Sequence, residues 1–216
     1  FELPLPWPYN VWESRGMPVE IRELVRVWYA DDGTPRPRLR PLAVAPDPAR
    51  PNPGLRRVIF HRRPAEPFAD FARDEYLVPE ADLGPLVWAL LVEPGDLPRF
   101  APYREPDRAG RDILLCTHGA VDAACARFGY PLYKHLRERY ADAGTRVWRV
   151  SHFGGHVFAP TLMDMPTGHY WAYVGAEQAE EIVTRTGDVT ALRGHYRGWA
   201  GASYGLAQAA ERELWQ

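Results

Sequence analysis

The stretch Asp112-Ile113-Leu114-Leu115-Cys116-Thr117-His118-Gly119-Ala120-Val121-Asp122-Ala123-Ala124-Cys125 decides the fold. Asp112–Cys116 is an apolar run of strand length that ends on a cysteine. A loop follows, and Asp122 is placed to cap the N-terminus of a helix. Ala124, Cys125, Phe128, Leu132 and Leu136 then recur near helical spacing as far as about Tyr140. Gly129 and Pro131 fall inside that span and predict a kink or a short break.

Downstream, Gly144 precedes Arg146–Ser151, where Val147, Trp148 and Val150 mark a second strand. Val157–Met163 and His169–Val174 flank Met165-Pro166-Thr167-Gly168, a turn signal, and so predict a hairpin. Glu177–Arg185 reads as a short helix and Ala202–Trp215 as a terminal one. The order βαβ–ββα is the thioredoxin arrangement: a parallel pair joined by a helix, then an antiparallel hairpin and a covering helix.

Upstream the reading is looser. Phe1–Leu5 is a strand remnant. Pro18–Tyr29 predicts a helix opened by proline, with an apolar stripe at Val19, Leu24, Val25 and Trp28. Residues 34–54 hold seven prolines and predict a loop. Val58–Phe60 is a short strand, and Pro79–Leu91 a helix weakened by Gly84-Pro85. Glu93–Gly110, rich in proline, glycine and charge, is the best domain boundary. The expected class is α/β: a thioredoxin-like C-terminal domain, 109–216, with a mixed sheet and helices on both faces. It is expected to pack on a smaller or degenerate α/β half, 1–108.

Composition sets modest limits. The chain has 216 residues, 46% apolar and 25% charged, a globular balance. A net charge of −2 gives no broad electrostatic footprint for nucleic acid or anionic lipid. No apolar run approaches the roughly 20 residues of a membrane span, so a cytoplasmic location is expected. Lys134 is the only lysine, a compositional habit and not a site. The chain begins at Phe1 and not at a methionine, which leaves a preceding segment open.

The chain has two cysteines, Cys116 and Cys125, and His152-Phe153-Gly154-Gly155-His156 follows them. Two thiols and two imidazoles are the four donors that a tetrahedral zinc ion or a [2Fe–2S] cluster needs. The histidine spacing suits structural zinc, but eight residues between the cysteines do not. A Rieske pattern is excluded, because Cys125 would need a histidine at position 128, where Phe stands. A disulfide is the plain alternative for a cysteine pair. Taken singly, each residue has an ordinary reading: Cys125 as core packing, the histidines as loop groups bonded to backbone. His118 and Asp122 suit loop shaping and capping, Arg193–Gly198 a surface or docking loop.

Cys116-Thr117-His118-Gly119, Asp122 and Cys125, followed by Ser151-His152-Phe153-Gly154-Gly155-His156 and Phe158-Ala159-Pro160, resemble the sucrase/ferredoxin-like family. That family is related to the thioredoxin-like ferredoxins and includes actin-patch-distribution proteins. The resemblance is clear over the last hundred residues and faint before them, where Leu5-Pro6-Trp7-Pro8 is suggestive. Val157 departs from it, standing where a basic residue is frequent, and Ala124 stands where bacterial relatives often have another cysteine. The resemblance implies one [2Fe–2S] cluster, with Cys116 and Cys125 on one iron and His152 and His156 on the other.

Exchanging two thiolates for two imidazoles on one iron raises the potential, from about −400 mV to roughly −150 to +300 mV in Rieske centres. The second ring nitrogen of each histidine couples electron to proton uptake. The expected function is therefore one-electron transfer to a redox partner protein. One rival is a binding module with structural zinc at the same four ligands. Another is a cluster-dependent oxidoreductase, although no nucleophile–base pair, cofactor fingerprint or glycosidase carboxylate pair is apparent. A disulfide-bearing thioredoxin-like protein is the third, and it lacks C-x-x-C.

Overall fold

A computed structural model describes residues 1–33, 39–107, 109–142, 144–202 and 205–214. The chain divides into two compact units: Phe1–Phe60 with Arg73–Asp107, and His61–Ala72 with Arg108–Gln216.

The first unit contains helices α1 (Val19–Trp28) and α2 (Leu83–Leu91), which pack on each other. Strands β1 (Leu55–Arg62) and β2 (Ala72–Pro79) form a two-stranded sheet whose distal part, His61–Ala72, groups with the second unit. Leu3, Ile21, Val78, Leu83, Leu86 and Phe100 are wholly buried in its core. The N-terminal strand remnant is a single bridge from Glu2 to Val44. β2 is longer and more polar than the sequence suggests. It buries Asp74 and Glu75, which is tolerable because Arg104 donates to Asp74 at 2.7 Å and Arg57 pairs with Glu75. Pro94–Tyr103, inside the expected boundary segment, is instead a run of 3₁₀ helix belonging to this unit. Of the expected 34–54 loop, residues 34–38 lie outside the described residues.

The second unit is built on a five-stranded mixed sheet. β3 (Arg111–Cys116) and β4 (Thr145–Val150) run parallel, joined by α3 (Ala123–Tyr140). β5 (Thr161–Met165) lies antiparallel on the other side of β3, followed by β6 (His169–Ala172). The order is β4-β3-β5-β6-β7, where β7 is Tyr196–Trp199. α4 (Ala176–Thr184) follows the hairpin, and α5 (Gly205–Leu214) packs against β7. Alternation on β3 sends Ile113 and Leu115 to the face covered by α3 and α4, where they join Leu132, Leu136 and Ile182.

Three features differ from the sequence expectation. α3 is unbroken, because Pro131 lies on its exposed side together with Arg127, the residue whose carbonyl loses its partner. β5 starts at Thr161 because His156–Phe158 forms a 3₁₀ turn. The Arg193–Gly198 segment supplies much of β7, an edge strand. There Gly198 is required: its φ is 97° and the Gln208 side chain occupies the space of a Cβ. Of the expected terminal helix, residues 203, 204 and 215 lie outside the described residues.

At the start of β3, Arg111 holds Asp164 of β5 with two bonds of 3.0 and 2.6 Å. Asp112 accepts two bonds from Arg146 and one from the Trp148 indole. These pairs fix the register at one end of the strands. The other end, where β3 and β4 stop, carries the cysteine and histidine loops. In an α/β sheet that is where sites are built. Among the described residues, no helix is long and apolar enough to cross a membrane.

Candidate metal centre

Cys116 is the last residue of β3 and Cys125 lies in the first turn of α3, so the strand-to-helix loop brings them together. Asp122 caps that helix by accepting the Ala124 N–H at 2.8 Å, and the Cys125 N–H bonds the Asp122 carbonyl. Two glycines permit the approach of α3. A Cβ at Gly129 would collide with the Cys116 carbonyl oxygen, and one at Gly119 with the Ala126 Cβ. Gly129 is therefore a packing residue and not a helix breaker. Both cysteines are free thiols with only 1% of their surface exposed.

The histidine loop leaves the end of β4. Ser151 and Phe153 are buried and pin it, leaving His152 half-buried between them. The imidazole of His118 accepts the His152 backbone N–H at 3.3 Å, which ties the two loops together. Gly154 and Gly155 both have positive φ, 101° and 71°, a conformation that residues with side chains rarely adopt. This double reversal carries His156 back beside His152, their rings stacked 5.4 Å apart.

Of the four sequence candidates, Cys116, Cys125 and His152 offer donor atoms lying within 4.8 Å of one another. Nδ1 of His152 is 3.7 Å from Sγ of Cys116. His156 is not within that group, but its Nδ1 is buried and has no hydrogen-bond partner among the described residues. A buried imidazole nitrogen without a partner costs on the order of 1–3 kcal/mol. Stacked against a Cys–Cys–His group, it fits a fourth donor to a metal. The donor set is soft to borderline and suits zinc or iron–sulfur better than calcium or magnesium.

The two thiols are shifted in opposite directions. Cys116 is pushed down to about 5, first by a hydrogen bond from the Cys125 thiol and then by His152 and the His118 N–H. Cys125 is pushed up, by that same bond and by burial. The downward shift favours the thiolate at Cys116, and thiolate is the ligating form.

Sequence reading did not find the role of Gly129; its appearance mid-helix, next to Pro131, resembled a break. Nor did it find Arg149, whose Nε donates to the Thr117 hydroxyl at 3.4 Å beside Cys116.

The family model described as sucrase/ferredoxin-like matches residues 5–198, taking in most of the first unit as well as the metal centre. No protein of curated function matches the chain, and no solved structure does.

Proposed function

The chain belongs to the sucrase/ferredoxin-like family, and from that membership we propose that its second unit is a thioredoxin-like ferredoxin. We assign it one [2Fe–2S] cluster, held by Cys116, Cys125, His152 and His156, and electron transfer to a protein partner as its function. The observation that carries this is the convergence of Cys116, Cys125 and His152, with the unpartnered His156 nitrogen stacked beside them. The order β4-β3-β5-β6, with its single parallel pair, supports the thioredoxin-like reading.

A bound [2Fe–2S] cluster supplies reversible one-electron chemistry. The surrounding residues would tune it. The buried thiols of Cys116 and Cys125 keep water from the sulfur donors. The His118 backbone N–H donates to Sγ of Cys116, drawing charge from that thiolate. Neutral imidazoles at His152 and His156 bring less negative charge than thiolates and favour a higher potential. Each also keeps a second ring nitrogen, where a proton can be held or released. Two free thiols suit a reducing compartment, which supports a cytoplasmic location.

The test is iron, sulfide and zinc analysis of anaerobically purified protein, with visible spectra before and after dithionite. A red-brown protein with equal iron and sulfide that bleaches on reduction is expected. A colourless protein with one zinc that refuses iron reconstitution would mean a structural zinc module instead.

A further inference from the structure

Several arginines of this chain are spent on carboxylates: Arg111 on Asp164, Arg146 on Asp112, Arg57 on Glu75, Arg104 on Asp74. Two beside the metal centre are not. Arg149, at the end of β4, lies with its guanidinium carbon 4.7 Å from the Tyr130 ring, and its Nε donates to the Thr117 hydroxyl. Arg197 lies over two rings at once, 5.2 Å from Phe158 and 5.5 Å from Tyr173, and donates to the Gly194 and Tyr196 carbonyls. Neither has a carboxylate partner among the described residues. The acidic side chain nearest in sequence to the cysteines, Asp122, is occupied in capping α3.

These arginines flank the centre. Arg149 reaches the residue next to Cys116, and Phe158 lies two residues after His156. The rings beneath them are exposed: Tyr130 by 41%, Phe158 by 38% and Tyr173 by 49%, with Val157 beside Phe158 at 67%. Aromatic rings hold a guanidinium in place without neutralising it, so each charge stays available to an incoming carboxylate. Exposed apolar area ringed by such charge is the composition of a protein-docking surface.

We propose that this end of the second unit is the docking face for an acidic redox protein, whose carboxylates meet Arg149 and Arg197 beside the metal centre. The proposal rests on the electron-transfer reading for the redox nature of the partner. Charge complementarity selects the occupant. The chain as a whole carries −2 and repels an acidic partner, so two guanidiniums without a carboxylate partner beside the centre supply the local attraction such a partner needs. Two separated guanidiniums on a net acidic chain fit carboxylates better than a nucleic-acid backbone, which needs a basic track.

The probe is a fluorescein-labelled octaglutamate peptide, titrated by anisotropy against the full chain at low and high ionic strength. Binding should weaken as salt rises, and the double variant Arg149→Gln/Arg197→Gln should lose affinity roughly tenfold or more. Arg26→Gln, in the first unit and paired with Glu23, should bind like the unaltered protein. Absence of binding at low salt, or binding indifferent to the double variant, overturns the proposal. So does tighter binding of an oligothymidylate with the same arginine dependence, which would make this a nucleic-acid surface. The titration needs no bound iron. A colourless protein that binds the peptide through these arginines sinks the electron-transfer reading and leaves the acidic docking face; a red-brown protein that ignores the peptide does the reverse.

Discussion

The first unit contains neither a cysteine nor a histidine, whereas the second contains both cysteines and all seven histidines. In the first, buried charge is met by charge: Glu75 by Arg57 and Asp74 by Arg104, around an apolar core. In the second, the end of the sheet gathers two thiols and two imidazoles, and a nitrogen of His156 has no hydrogen-bond partner among the described residues. The first unit satisfies these groups with its own side chains. The second leaves a buried polar cluster that a metal would satisfy, so metal should matter to one unit and not to the other.

The sharpest way to break that contrast is to remove a thiol. Cys116→Ala or Cys125→Ala should abolish the visible absorption and remove the metal-dependent part of the thermal stability. Full iron and sulfide in either variant would end the assignment.

Next come two packing variants that should part company. Leu86→Ala, in the first core, should cost about 2–5 kcal/mol by denaturant titration and leave the spectrum unchanged. Gly129→Ala should cost about 1–3 kcal/mol, because the added methyl pushes on the Cys116 carbonyl. It should also disturb the spectrum, since the displaced residue is one of the proposed ligands. A spectral change in the first variant, or none in the second, would dissolve the distinction between the units.

Smaller still is the effect of ligand exchange. His152→Cys and His156→Cys should each keep the cluster and lower its potential by roughly 100 mV or more, read by redox titration. A potential unmoved by one exchange removes that histidine from the ligand set.

The smallest effect is on pH dependence in the metal-free protein. Cys116 falls from its ordinary 9.0 to about 5, through its hydrogen bond with Cys125 first and then His152. Its folded value lies below its unfolded one, so the stability it contributes is present above 9.0 and lost as pH falls through about 5. Urea midpoints should therefore rise from about pH 5 towards 9.0, and Cys116→Ser should flatten that rise. Cys125, shifted upward, acts oppositely above the ordinary thiol range.

The same contrast governs what could be read from the sequence. β3, α3, β4 and the hairpin turn at Met165–Gly168 were legible because their apolar periodicity is local and bounded by turn residues. β2 was not, since Arg73-Asp74-Glu75 looks like a solvated surface until the distant Arg57 and Arg104 are seen to pair with it. β7 was read as a loop, because the reason for Gly198 is the approach of Gln208 from α5. At the candidate metal centre, residue type and spacing identified Cys116, Cys125 and His152, which the fold brings together. They do not disclose that His118 clamps the His152 backbone, or that Gly129 makes room for Cys116. Those are tertiary contacts, between two loops in one case and between α3 and the end of β3 in the other, and no local pattern encodes them.

The most direct measurement is pulsed EPR of the dithionite-reduced protein, prepared once with natural histidine and once with ¹⁵N-labelled histidine. Two distinct histidine nitrogen couplings on an S = 1/2 signal are expected, one lost in His152→Cys and the other in His156→Cys. A reduced signal with no histidine coupling, or with a single one that survives His156→Cys, would contradict a cluster held by both cysteines and both histidines.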